Sequence, residues 1–191
     1  MKNSQLLIIV FSLIGLFSCQ TRPDFSEQIQ QLDTTYEAVE NAEQEFLTIN
    51  FAATSALIKK ISDDIEFIEQ NYVGEMDRAI AQQISDYLTA KKMVKKFGSR
   101  YKKINLELSR TKKQISMLKT ALGSNATHDK DGNEFTEEYV NKILGQELKV
   151  ADQLTEQMVL LAEQDKKAHK RFEEYRDRID VILSSIPVKV D

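Results

Sequence analysis

The sequence predicts an all-α chain, an elongated antiparallel three-helix bundle with coiled-coil-like packing. Three observations predict it. Apolar residues recur in a 4-3 rhythm over long stretches. The residues that punctuate helices are scarce, with only Pro23 and Pro187 as prolines, at the two ends of the charged region. Acidic and basic residues are segregated into blocks that would face each other if the chain folded back twice.

The first seam is Phe25, Ile29, Leu32, Tyr36, Val39, Phe46, Ala53 and Leu57, with polar Glu43 and Asn50 at two seam positions. A seven-residue repeat held this long is the pattern of coiled-coil packing. It predicts a helix over 24–70. Asn71-Tyr72-Val73-Gly74 reads as the turn that follows, because Gly74 can take a positive φ. The second helix is expected over 75–122, on the seam Val94, Phe97, Tyr101, Ile104, Leu108, Ile115, Leu118 and Leu122, with polar Thr111 among them. Gly98 offers a place to bend, but Phe97 and Tyr101 keep the seam, so no break is expected there.

Residues 123–135 hold the one cluster of Gly, Asn and Asp and read as a loop. The third helix is expected over 136–186. Thr136 is its N-cap, and acidic Glu137 and Glu138 suit the positive end of the helix dipole. Its seam runs Val140, Leu144, Ala151, Leu154, Met158, Leu161, Ala168, Phe172, Tyr175, Ile179, Ile182 and Ile186, interrupted by Glu147 and Asp165. Pro187 opens a short tail, 187–191. Each helix would be about 70 Å long at ~1.5 Å per residue.

The turn near Tyr72 decides between this bundle and a rod in which the first two helices run on for about 150 Å. Residues 24–58 hold seven acids and no base; residues 91–119 hold eleven bases and one acid. Residues 137–165 hold seven acids and two bases. Folding back twice sets the basic block beside both acidic ones. It also sets Lys166 to Arg178 beside Asp63, Asp64, Glu66 and Glu69. Single exposed pairs contribute little, but complementarity along a register selects orientation. The up-down-up bundle is the favoured arrangement.

The N-terminus carries an address. Lys2 precedes an apolar run from Leu6 to Phe17, which is followed by Ser18 and Cys19, the only cysteine. The run falls short of the ~20 residues that cross a bilayer and has the length of a signal-peptide core. Leu16-Phe17-Ser18-Cys19 resembles the lipobox of bacterial lipoproteins, with a bulkier residue than usual at Phe17. The resemblance implies that residues 1–18 form a signal peptide that is cleaved. It implies that Cys19 takes lipid, palmitate included, and that 19–23 tether the bundle to a membrane of the cell envelope. Several acyl chains on one residue anchor stably where one would be marginal. The outer membrane is the expected location, with the periplasmic or the outer face left open.

Candidate sites are few. Lys91, Lys92, Lys95, Lys96, Arg100, Lys102, Lys103, Arg110, Lys112, Lys113 and Lys119 form a basic stretch. It reads either as a salt-bridged flank or as a surface for anionic lipid or lipopolysaccharide. The export leader and the net charge of −4 argue against nucleic acid. In the loop, Thr127, Asp129, Asp131, Asn133 and Glu138 can be set against the calcium-binding positions of an EF-hand, with Gly132 at the sharp turn. Thr127 stands where that pattern has Asp and Glu134 where it has an apolar residue, so a plain polar turn explains the same residues. No metal and no cofactor is expected. His169 falls outside the seam, as a surface residue would.

No phosphate loop, HExxH, CxxC or nucleophile elbow is present, and a non-enzymatic role is expected. The mature part, from Cys19 on, also resembles in architecture the small helical-bundle envelope lipoproteins of unknown function. That implies a membrane-anchored structural or protein-interaction module with a protein partner of unspecified kind. The alternative is a holdase-type periplasmic chaperone or a carrier of anionic ligands. Three amphipathic helices can close their own core, so a monomer is feasible; a rod would have to dimerise.

Overall fold

The structure, a computed structural model, describes residues 23–124 and 126–187. The leader 1–18, Cys19 and the tail from 188 onward lie outside the described residues. Five helices follow one another: α1 (Ser26–Phe46), α2 (Phe51–Asn71), α3 (Arg78–Met93), α4 (Phe97–Gly123) and α5 (Glu137–Ser185). The all-α expectation holds: among the described residues the one β-type feature is an isolated bridge between His128 and Glu134.

The helix α5 has 49 residues, about 73 Å at ~1.5 Å per residue. All four shorter helices touch it. Helices α1 and α4 pack on its first half, around Leu32, Phe46, Ile104, Ile115, Val140 and Met158. Helices α2 and α3 pack on its second half, around Leu57, Ile61, Tyr87, Ala90, Ile179 and Ile182. Between α1 and α4 the ion pairs run in opposite chain directions, Asp33 with Lys119 and Glu40 and Glu43 with Lys112. Between α1–α2 and α5 the bonds run in the same direction, Gln28 to Asn141 and Thr54 to Asp165.

Two expected helices are broken, and this corrects the reading of 24–70 and 75–122 as continuous. The first break is Leu47 to Asn50. Thr48 bonds back to the Glu45 carbonyl at 2.7 Å, and the Asn50 side chain accepts from the Ala53 N–H at 3.0 Å. Asn50 is thus a helix N-cap rather than a polar seam residue. Short polar side chains compete for local backbone groups and start helices more readily than they continue them. The seam changes for one turn only: Ile49 and Thr54 are buried where Asn50 and Ala53 were expected, and Leu57, Ile61 and Ile68 carry it on.

The second break is Val94 to Lys96, just before Gly98 rather than at it. Lys96 takes φ 57° and ψ 24°, the left-handed region, and it is the only non-glycine described with positive φ. Tyr87, Ala90, Val94, Phe97, Ile104, Leu108, Thr111 and Ile115 stay buried across the break, so the heptad survives while the backbone does not. Gly74 takes φ +103° after α2, as its place in the turn requires. The second run starts at Arg78, because Asp77 caps it with bonds to Ala79 and Ile80. Thr136 caps α5 by accepting from the Tyr139 N–H at 3.2 Å.

The charge blocks meet only in part. The basic block of α4 engages α1 as expected. Lys166 to Arg178 do not turn to the acids of α2. Arg171 instead bonds Asp86 of α3 at 2.6 Å, and Asp64 and Asp180 share Lys60 of α2. Intrahelical i,i+4 partners such as Lys59 for Asp63 lie closer than a neighbouring helix.

Lys96→Gly should raise stability by up to about 1 kcal/mol, because glycine adopts the left-handed region without the Cβ clash. Lys96→Val should lower it. Thermal melts in the order Gly above Lys above Val would bear this out, and equal melting points would refute it. Glu147, a polar interruption of the α5 seam, has its carboxyl pushed above the ordinary range by burial, against the pull of Arg110. Its charge therefore opposes folding at pH values above the folded pKa, and the cost vanishes once both states are protonated in acid. Glu147→Gln should raise the melting point at pH 7 and lose that gain on acidification. A gain independent of pH would rule out the charge as the cause.

Candidate functional site

The two breaks lie at one level of the molecule, side by side. Phe46 and Phe51 flank the first; Phe97 and Tyr101 follow the second. Phe46 stacks on Tyr101 with ring centroids 4.8 Å apart, Phe51 on Phe97 at 5.5 Å, and Phe51 meets Tyr101 at 5.0 Å. Such ring pairs add stability beyond their buried area, and here they join the end of α1 to the starts of α2 and α4.

A cleft of about 650 Å³ opens beside this cluster. Ile58 of α2, Leu88 of α3, and Val94 and Phe97 of the break form its apolar lining. Lys91, Lys92, Lys95 and Lys96 also line it, with Gly98 and Ser99. Its size is that of small-ligand sites. The cleft collects the first four residues of the basic stretch. Of the rest of that stretch, Lys112 and Lys119 pair with carboxylates of α1, while Arg100, Lys102, Lys103, Arg110 and Lys113 make no ion pair among the described residues. Lys112 bonds Glu43 at 2.8 Å and Glu40 at 3.2 Å, and lies 5.3 Å from the Tyr36 ring centroid. The bond to Glu43 above all holds its ammonium pKa above the ordinary range. Arg100 bonds Gln164 at 2.6 Å. Among the described residues, the four lysines of the cleft make no ion pair.

The core holds two carboxylates with named partners. Asp165 is 7% exposed; it accepts from the Thr54 hydroxyl at 2.5 Å and lies 3.7 Å from His169. His169 is half-buried and 3.2 Å from Thr54, which corrects its reading as a surface residue: the first break turns Thr54 inward to meet it. Asp64 is 6% exposed and accepts from Tyr87 at 2.7 Å and from Lys60 at 2.5 Å. Burial first, and then this bond to Asp64, push the Tyr87 hydroxyl pKa far up, so it stays a donor. Thr54, Asp165 and His169 bond one another inside the bundle, whereas Asp64 also lines a groove of about 520 Å³ with Asp63, Phe67 and Asp180.

The loop candidates form a turn. One Asp129 oxygen accepts from the Asp131 and Asn133 N–H groups, both at 2.8 Å. The other accepts from the Asn133 amide at 2.8 Å and from the Tyr139 hydroxyl. The Asn133 amide and the Tyr139 hydroxyl, foremost, hold the Asp129 carboxyl well below the ordinary range. The Phe135 N–H donates to the Thr127 carbonyl at 2.8 Å, and Gly132 takes φ +85°. Thr127, Asp129, Asp131 and Asn133 thus come together around donors, whereas Glu138 lies exposed in the first turn of α5. Among the described residues, no group of three or more His, Cys, Asp or Glu side chains could hold a metal ion. Cys19 lies outside the described residues.

Sequence reasoning missed the cleft and Tyr87. The stretch 58–93 has a weaker seam than its flanks, and nothing in the residues alone marks Lys96 as left-handed. The visible signals were Asn50 after two β-branched residues, and Gly98 beside a run of lysines.

These features define an α-helical bundle protein whose buried polar groups tie its own helices together and in which a cationic, apolar cleft opens at the α3–α4 break. Comparison with protein-family models, curated proteins and solved structures finds no match in any of the three. No described helix is long and apolar enough to cross a membrane.

Tyr87→Phe should destabilise the chain by about 1–2 kcal/mol, since it leaves a buried Asp64 oxygen without its donor. Urea denaturation monitored by circular dichroism measures this. An unchanged midpoint would mean that the bond adds nothing in solution.

Proposed function

We propose that the chain is a non-enzymatic lipoprotein of a bacterial cell envelope, held to a membrane through lipid on Cys19. Its body is an antiparallel up-down-up bundle of three strands, α1–α2, α3–α4 and α5, packed in the manner of a coiled coil. It works as a stiff structural or protein-interaction module. The observation that carries this reading is α5, one uninterrupted helix shared by both cores. A helix of this length with partners along its whole extent resists bending, and a module that projects from a surface or spans a fixed distance needs that property. The direction of the ion pairs and hydrogen bonds between helices supports the up-down-up order.

The test is fractionation of cells carrying Cys19→Ala. The variant should move from the membrane to the soluble fraction, and its crosslinked partner should be lost. A variant that stays with the membrane overturns the anchor.

A second reading, a carrier of anionic ligands, is favoured by the four lysines that line the cleft without ion-pair partners. It expects binding that weakens as salt rises.

A further inference from the structure

The cleft at the α3–α4 break has a chemistry that selects its occupant. Its apolar lining, Ile58, Leu88, Val94 and Phe97, comes from three helices and the break itself. The polar side chains that line it are four lysines and Ser99, and the Ser99 hydroxyl already donates to the Lys96 carbonyl at 2.9 Å. No carboxylate lines it. Lys91, Lys92, Lys95 and Lys96 bring four like charges to one cleft, where they repel one another. Helix α4 also starts beside the cleft with no side-chain cap and no acidic residue in its first turn. Its positive dipole end therefore adds to the lysines instead of being offset.

From this juxtaposition we propose that the cleft binds a single-chain amphiphile with an anionic head, such as an alkyl phosphate or a fatty acid. The alkyl chain lies on Ile58, Leu88, Val94 and Phe97. The head sits among Lys91, Lys92, Lys95 and Lys96 at the start of α4. A small inorganic anion would leave the apolar lining wet. A neutral alkyl chain would leave the lysine repulsion unrelieved. A peptide would bring backbone N–H groups to a lining whose charged side chains are all donors. The proposal rests on the carrier reading and names its site and ligand class.

Gly98 supplies the sharpest test. A Cβ built there meets only a Phe51 ring carbon, at 3.9 Å, an ordinary contact, and the residue sits in a helix at a φ open to any side chain. Gly98→Leu should therefore push side-chain carbons into the cleft, with helix propensity gained over glycine, and a thermal melt checks that the variant folds. The measurement is calorimetric titration of dodecyl phosphate, below its micelle concentration, into the full chain carrying Cys19→Ser. Inorganic phosphate and dodecyl maltoside serve as the head-only and neutral-head controls. The expected result is saturable one-to-one binding of dodecyl phosphate, at least about 100-fold tighter than inorganic phosphate. It should weaken about tenfold in Lys92→Glu/Lys95→Glu and vanish in Gly98→Leu. Equal binding to Gly98→Leu, or equal binding of dodecyl maltoside, overturns the site. Salt-sensitive binding of both phosphates with equal affinity, indifferent to Gly98→Leu, overturns the site and leaves the carrier reading standing. No binding of any anion overturns both.

Discussion

The continuity of α5 is the constraint on which the other four helices depend. An amphipathic helix in water takes most of its stability from the face it packs. The stripe on α5 runs from Val140 to Ile182, and each shorter helix finds its partner surface there. Helices α1 and α2 need not be one helix, because both lie on the same template. The same holds for α3 and α4. A break between α1 and α2, or between α3 and α4, costs a few backbone hydrogen bonds. A break in α5 would separate the two cores, which share only a narrow junction at Ile58.

The buried polar pairs then fix the register that the apolar stripe leaves loose. A heptad seam fits as well after a seven-residue slip as before it. Asp165 finds Thr54, and Asp64 finds Tyr87, only in one alignment. Any slip would strand a buried carboxylate, at far greater cost than a lost apolar contact. The alternation of Glu43, Thr111 and Glu147 among apolar seam residues belongs to the same economy. Glu43 gains Lys112, whereas the buried Thr111 hydroxyl has no partner and Glu147 is penalised by burial.

What the sequence made legible was periodic. Seams can be read because burial selects apolar residues one by one, and the residues named for α1, α4 and α5 lie largely in the two cores. The caps at Thr136 and the turn at Gly74 could be read because each needs a particular residue type. The breaks were not legible from the seams, because a seam records which side chains face inward and says nothing of backbone continuity. Phe97 and Tyr101 kept their phase although Lys96 had left the helix. The partners of Arg171 and Asp165 were hidden for a related reason. Charge blocks predict which helices attract, but an individual side chain bonds whichever group lies within its own reach.

The coincidence of the two breaks shapes the lysine-lined cleft, although the unbroken helices also leave grooves, such as the one of about 520 Å³ beside Asp64 and Asp180. Interrupting two adjacent strands at one level removes side chains from the groove wall, and Gly98 removes one more. The aromatic cluster of Phe46, Phe51, Phe97 and Tyr101 keeps the gap from collapsing, because ring stacking fixes the end of α1 and the starts of α2 and α4 at set distances. Lysines gather there for a reason local to the fold. Lys91 and Lys92 complement the carbonyl end of α3, while Lys95 and Lys96 occupy the break and are exposed. The first pair is explained by helix termination. The second is not, because cations at the start of α4 oppose its dipole, and Lys96 does so from a conformation that disfavours a side chain at all. Lys96 is thus a strained cation at the mouth of an apolar cleft, and neither α3 nor α4 gains stability from it.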